Sequence, residues 1–184
     1  MAHVTWDGTA SYEMVLDGSC KAPATAVYAV LTDLPSHLEW GGQRQRRSFR
    51  LKSLRASGPA VVGTEFTSAG SIPMTTSQWI DRSVVVAAES PAVLEFHTDS
   101  VAVWSTGKQT KARWEHRYDI QADGTGCRVA YRLRRTAMAD GPLRMRLPVM
   151  RTVTHRVMIP FFCRRGFTNL LRAAENRATS AAAT

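Results

Sequence analysis

From about residue 48 to residue 136 the chain keeps a period of two, and no other feature limits its folding choices as much. Segments of strand type span 46–56, 64–70, 75–88, 92–99, 109–121 and 126–136. They are divided by Ser57-Gly58-Pro59, Ser71-Ile72-Pro73, Ser90-Pro91, Ser105-Thr106-Gly107 and Ala122-Asp123-Gly124-Thr125-Gly126. Connections this short leave no room for a parallel crossover, so neighbouring strands must be antiparallel.

Helical signals flank this block. Residues 11–22 alternate, with Tyr12, Met14, Leu16 and Cys20 on one face and Glu13, Asp17, Ser19 and Lys21 on the other, which reads as a first strand. Pro23 then suits a helix start, and Val27, Val30, Leu31, Leu34 and Leu38 follow at helical spacing with an interruption at Pro35, a short helix pair closed by Gly41-Gly42. Near the end, Phe167, Leu170, Leu171, Ala174 and Ala178 form the clearest amphipathic stripe in the chain. Upstream, Val149, Met150, Val153, Val157 and Phe161 form a second stripe between Pro148 and Pro160. The expected architecture is α+β: seven antiparallel strands, a helix pair after the first, and a long C-terminal helix on which the sheet buries one face.

Composition narrows the class. The 184 residues fit one domain with a core large enough to need neither disulfides nor a structural metal. Charged residues are 21% and apolar residues 44%, which argues against disorder. There is no apolar run near the ~20 residues of a membrane span, and Asp7, Glu13 and Asp17 sit where a signal peptide needs an apolar stretch, so a soluble, cytoplasmic protein is expected. Cys20, Cys127 and Cys163 are widely spaced, without CxxC, HExxH or HxH, so they read as reduced core thiols and no metal site is expected. GxSxG, a strand-linked GxGxxG and a P-loop lysine are absent, so no nucleotide or other cofactor is called for.

The net charge of +9 is concentrated in two blocks. Residues 43–55 carry Arg44, Arg46, Arg47, Arg50, Lys52 and Arg55 without an acid, and residues 128–172 hold eleven arginines against Asp140 alone. Such blocks suit either a solvated face or an anionic partner. Phe49 is the one aromatic in the first block, too few rings for base stacking, which disfavours nucleic acid.

Several segments, in order, resemble the START-related helix-grip superfamily called SRPBCC, which includes polyketide cyclase/dehydrase-like proteins. They are the strand ending Lys21-Ala22-Pro23, the helix beginning Ala24-Thr25-Ala26-Val27 with His37-Leu38-Glu39-Trp40 after it, Gly63-Thr64-Glu65-Phe66, Glu89-Ser90-Pro91 before Leu94-Glu95-Phe96, and Tyr118-Asp119-Ile120 leading through Gly124-Thr125-Gly126. The resemblance covers a single domain over 10–178, with 1–9 and 179–184 as tails and 140–162 as an enlarged segment before the last helix. It implies a curved seven-stranded sheet gripping the C-terminal helix, and an internal cavity for a hydrophobic molecule such as a lipid, isoprenoid or polyketide.

Alternation in 109–121 sets Ala112, Trp114, His116, Tyr118 and Ile120 on one face and Lys111, Arg113, Glu115, Arg117 and Asp119 on the other. The first set must face inward, joined from the next strand by Cys127, Val129, Tyr131 and Leu133. Trp114, His116, Tyr118 and Tyr131 then combine apolar rings with polar tips, as ligand pockets require. Phe66, Trp79, Met14 and Leu133 complete the candidate lining, although the pattern of 75–88 is too uniform to assign its faces.

Three functions follow as expectations. One is binding, with transport as an extension, of a medium-sized hydrophobic molecule. Another is a cofactor-independent cyclase or aromatase using His116 as acid/base. The third is a basic interaction module contacting a ribosome or an anionic membrane. Segment 143–162 mixes apolar residues with Arg144, Arg146, Arg151 and Arg156, the composition of a helix lying on an anionic interface or equally of a lid over the cavity.

Overall fold

The structure is a computed structural model that describes residues 2–5, 11–43, 50–72, 75–139 and 147–182. Its centre is one curved antiparallel sheet of eight strands: β1 (Ala2–Thr5), β2 (Tyr12–Cys20), β3 (Arg50–Ala56), β4 (Glu65–Ser71), β5 (Gln78–Glu89), β6 (Val93–Val103), β7 (Gln109–Asp123) and β8 (Gly126–Ala139). Their spatial order is β1-β2-β8-β7-β6-β5-β4-β3. The six strands after residue 48 form a meander because each connection is a turn; between β7 and β8, Gly124 takes a positive φ of 61°. Between β2 and β3 come α1 (Ala24–Thr32), a 3₁₀ turn at Leu34–Ser36 and a π-helical turn at Glu39–Gln43, so only the first member of the expected helix pair is an α-helix.

Eight strands replace the expected seven. β1 pairs with β2 at Ala2↔Leu16 and Val4↔Met14, and four residues are too few to display a period. At the other end, α2 (Pro148–Val153), a π-helical turn (Thr154–Met158) and α3 (Ile159–Ala182) follow one another without a break. Pro160 has no N–H to continue an α-helical ladder, and the wider turn lies immediately before it, with Ile159 N–H bonded to Thr154 O. The alanines after Thr179, expected in a frayed tail, continue α3 to Ala182, in keeping with the helix propensity of alanine. Among the described residues, no helix is long and apolar enough to cross a membrane. The basic residues of 44–49, the start of the expected strand 46–56, and residues 140–146 of the pre-helix segment lie outside the described residues.

The middle of α3 lies against β2, and its Phe167 reaches Tyr131 on β8. Gly18 lets it do so: a Cβ there would stand 2.8 Å from both Leu171 and Phe167. Phe167 stacks on Tyr131, the Cys20 thiol reaches Leu171 O, and Arg177 Nη2 donates to Asp33 at 2.8 Å beside α1. Met14, Leu16, Val27, Val30, Leu31, Leu34, Leu94, Val129 and Leu170 are buried in this layer.

Candidate functional site

Cross-strand register arranges the inner face of β4–β7 as a grid. The row nearest the core is Val85, Phe96 and His116, and the next contains Phe66, Ser83, Thr98 and Trp114. Beyond them run Ser68, Asp81, Ser100 and Ala112, then Gly70, Trp79, Ala102 and Thr110. Coverage is uneven across these rows. Val85, Phe96, Tyr118 and Ile120 are buried, whereas Ser68, Trp79, Asp81, Ser100, Ala102, Ala112, Trp114 and His116 are only half-buried although they face the same way. Part of the inner face is therefore closed by the helix layer, and part, paved with small side chains and edged by rings, is only half covered.

His116 sits where the two parts meet. Its ring lies parallel to Phe96 with centroids 4.6 Å apart, and its Nδ1 shares a hydrogen bond of 2.9 Å with the Tyr131 hydroxyl. Burial against these rings, assisted by His97 on the far side of the sheet, pushes the imidazole pKa down to about 3, so it is neutral near pH 7. Tyr118 and Tyr131 stack at 4.6 Å, and burial raises both phenols. Phe66 meets Phe96 edge to face at 5.4 Å. Met14 and Leu133 are fully covered and, with Tyr118, belong to the closed part. Of the residues singled out from sequence, Trp79, Trp114 and His116 are the ones in the half-covered part.

Asp81 went unrecognised in the sequence. It stands opposite Ser68 and Ser100 on the inner face. Ser100 donates to its carboxylate, and removal from water pushes its pKa up to about 6. Among the described residues, Asp81 Oδ1 and Trp79 Nε1 are buried polar atoms with no hydrogen-bond partner. The Trp79 ring lies across Gly70, where any Cβ would collide with it and with Arg50 O. The strand carrying both has inverted polarity: Ile80, Val84 and Val86 are exposed, Ile80 by 50%, while Asp81 and Ser83 point inward.

Beside Trp114 lies a second polar group. Arg135 is buried opposite Tyr12, its guanidinium 5.6 Å from the Trp114 ring and 5.9 Å from the Tyr12 ring, and Nη1 donates to His155 Nε2 at 3.1 Å. The Tyr12 hydroxyl donates to His155 O at 3.1 Å, which fastens the turn before α3 to the sheet.

The outer face of the sheet is ionic. A recess of about 250 Å³ is lined by Glu13, Glu95, Glu115, Arg117, Arg132 and Arg134. Arg117 pairs with Glu95 at 2.8 Å and Asp119 at 2.9 Å, and Arg134 with Glu115 at 3.5 Å. These charges satisfy one another, as alternation along β7 and β8 leads one to expect.

No protein-family model matches the chain, and no curated protein matches it. Solved structures do resemble it. A conserved protein from Geobacillus kaustophilus superposes with a TM-score of 0.64 at 11% identity, over 90% of this chain and 95% of that one. An uncharacterized protein from Rhizobium leguminosarum gives a TM-score of 0.63 at 9% identity, covering 96% and 99%. A protein from Arthrobacter aurescens gives 0.59 at 13% identity, covering 95% and 91%. At such identities the likeness is one of fold, an α+β sheet closed by a C-terminal helix over nearly the whole of each chain.

Proposed function

We propose that this chain binds a medium-sized hydrophobic molecule, such as a lipid, isoprenoid or polyketide, in the manner of the START-related helix-grip (SRPBCC) proteins its sequence resembles. The observation that carries this reading is the half-covered part of the inner face, where small residues are ringed by Trp79, Phe96, Trp114 and His116, and which we read as a hollow that a ligand fills. Apolar walls with a few inward polar groups are the usual make-up of a small-molecule site. Binding is favoured over catalysis by His116, because an imidazole pushed down to about 3 is a weak base and is not protonated to act as an acid near neutrality.

Native mass spectrometry of gently purified protein, with a melting screen of fatty acyl, isoprenoid and aromatic polyketide ligands, tests the reading. A ligand at a hundred times its Kd adds about 2.7 kcal/mol, a melting shift of roughly 5–10 °C for a domain of this size. Ala112→Trp should fill the hollow, keep the fold and abolish the shift. Absence of any binder across the screen would defeat the proposal.

A second surface favours a membrane as the place where such a ligand is collected or released. Val149, Val153, Val157 and Phe161 form an exposed stripe, 73%, 39%, 59% and 57% accessible, flanked by exposed Leu147, Met150, Arg156, Arg164 and Arg165. Apolar side chains in a basic helical face suit an anionic lipid interface, where the rings and branched chains enter the acyl boundary and the guanidinium groups meet headgroups. Flotation with vesicles rich in phosphatidylserine should recover the protein, vesicles of phosphatidylcholine alone should recover much less, and Val157→Glu with Phe161→Glu should abolish recovery at unchanged melting temperature. Equal recovery on both vesicle types would remove the charge from the explanation.

A further inference from the structure

The inverted strand β5 suggests which end of a ligand the hollow holds. A half-buried strand ordinarily turns apolar residues inward, yet β5 exposes Ile80, Val84 and Val86 and places Asp81 and Ser83 beneath the rings. Ser83 is accounted for by its 2.8 Å bond with Thr98. Asp81 and Trp79 are not. They occupy successive inward positions of one strand, about 7 Å apart along the backbone; their carboxylate Oδ1 and indole N–H have no hydrogen-bond partner and are covered by neighbouring atoms, which must shift to admit a ligand oxygen. A buried polar atom left unpaired is costly, and a binding site is one setting in which a fold retains such atoms.

We infer that Asp81 and Trp79 form the polar end of the hollow and recognise a hydroxyl group on an otherwise hydrophobic ligand, the hydroxyl donating to Asp81 Oδ1 while the Trp79 N–H is accepted by a ligand oxygen. This rests on the proposal that the hollow binds a hydrophobic molecule and names the chemistry of that molecule's polar end. Alternative head groups fit less well. An ammonium would satisfy the carboxylate but has no acceptor for the indole. A ketone accepts from the indole but brings no proton for Asp81. A carboxylate would set two anions together at neutral pH. A hydroxyl both donates and accepts, and the hydroxyl of Ser100, which already donates to the same carboxylate, pre-orients Asp81 to receive it.

The test is equilibrium dialysis at pH 7.5 of the full chain with 2-naphthol and its near-isostere 2-methylnaphthalene, which differ in the hydroxyl alone. The wild type should bind 2-naphthol at least tenfold more tightly. Asp81→Asn should reduce that preference to about twofold or less while leaving the affinity for 2-methylnaphthalene unchanged, and Trp79→Phe, which keeps an aromatic ring but loses the N–H, should reduce it by a smaller factor. Asp81→Asn should also melt at a higher temperature than wild type, so its lost preference would not reflect a damaged fold. Equal binding of both probes by wild type, or a preference that survives Asp81→Asn, would overturn the hydroxyl assignment while leaving the binding reading intact. Binding of neither probe by wild type would overturn both for aromatic ligands of this size.

Discussion

Three titratable groups shielded from water act on stability in opposite senses. His37, whose Nε2 donates to Leu31 O at 2.8 Å, is pushed by burial down to about 4, and His116 is pushed down to about 3. Unfolded histidine titrates near 6.5, so both contribute stability that is complete above that pH and is lost as pH falls toward 4 and 3. Asp81 is raised to about 6 from 3.8, so its contribution is complete below 3.8 and is lost as pH rises through 6. Between pH 4 and 6 the unfolded chain gains two protons on the histidines while the folded chain keeps one on Asp81. From these groups the unfolding free energy should therefore fall by about 1.4 kcal/mol per unit of acidification, and in Asp81→Asn by about 2.7. Urea titrations of both proteins across that window measure the two slopes. At pH 7 the same substitution should stabilise by about 2 kcal/mol, after allowance for the water that reaches a half-buried group. Sequence pattern located His116 because β7 alternates cleanly between apolar and charged residues. It could not locate Asp81, because on β5 the apolar residues are on the outside and the usual rule for choosing the inner face points the wrong way.

At the scale of elements, the contact that sets α3 on the sheet is Gly18 against Phe167 and Leu171. Gly18→Ala should force both side chains to shift and cost about 1–3 kcal/mol, and Gly18→Val more, read as a lower urea midpoint with an unchanged slope. Leu171→Ala should cost less in the Gly18→Ala background than in the wild type, since the two sites share one contact. Both stripes of the C-terminal helical run were visible in sequence, but their destinations were not. Phe167, Leu170, Leu171 and Ala174 face the sheet, whereas Val149, Val153, Val157 and Phe161 face solvent, and spacing alone is the same for a helix that packs and one that waits for a partner. β1 escaped notice for a different reason, since its pairing with β2 is a property of two segments and four residues hold no signal of their own.

At the scale of the whole molecule, among the described residues, arginines of the sheet's outer face and those of the C-terminal helical face are placed differently. On the outer face the arginines of β7 and β8 are matched by Glu13, Glu95, Glu115, Asp119 and Asp123, in pairs that stay open to water and so add little. Raising sodium chloride from 0.05 to about 0.5 M should accordingly change the melting temperature by a degree or two, while recovery on anionic vesicles should collapse over the same range. A melting temperature that followed salt as steeply as vesicle recovery would contradict this division. The inner face is divided too, into a part sealed by α1 and α3 and a part paved with Ser100, Ala102 and Ala112. Substitutions in the second part disturb few of the contacts that hold the first together, so side chains there are free to change while the scaffold persists. Solved structures of 9–14% identity keep this shape over nearly their full length, so the frame survives replacement of most of its side chains.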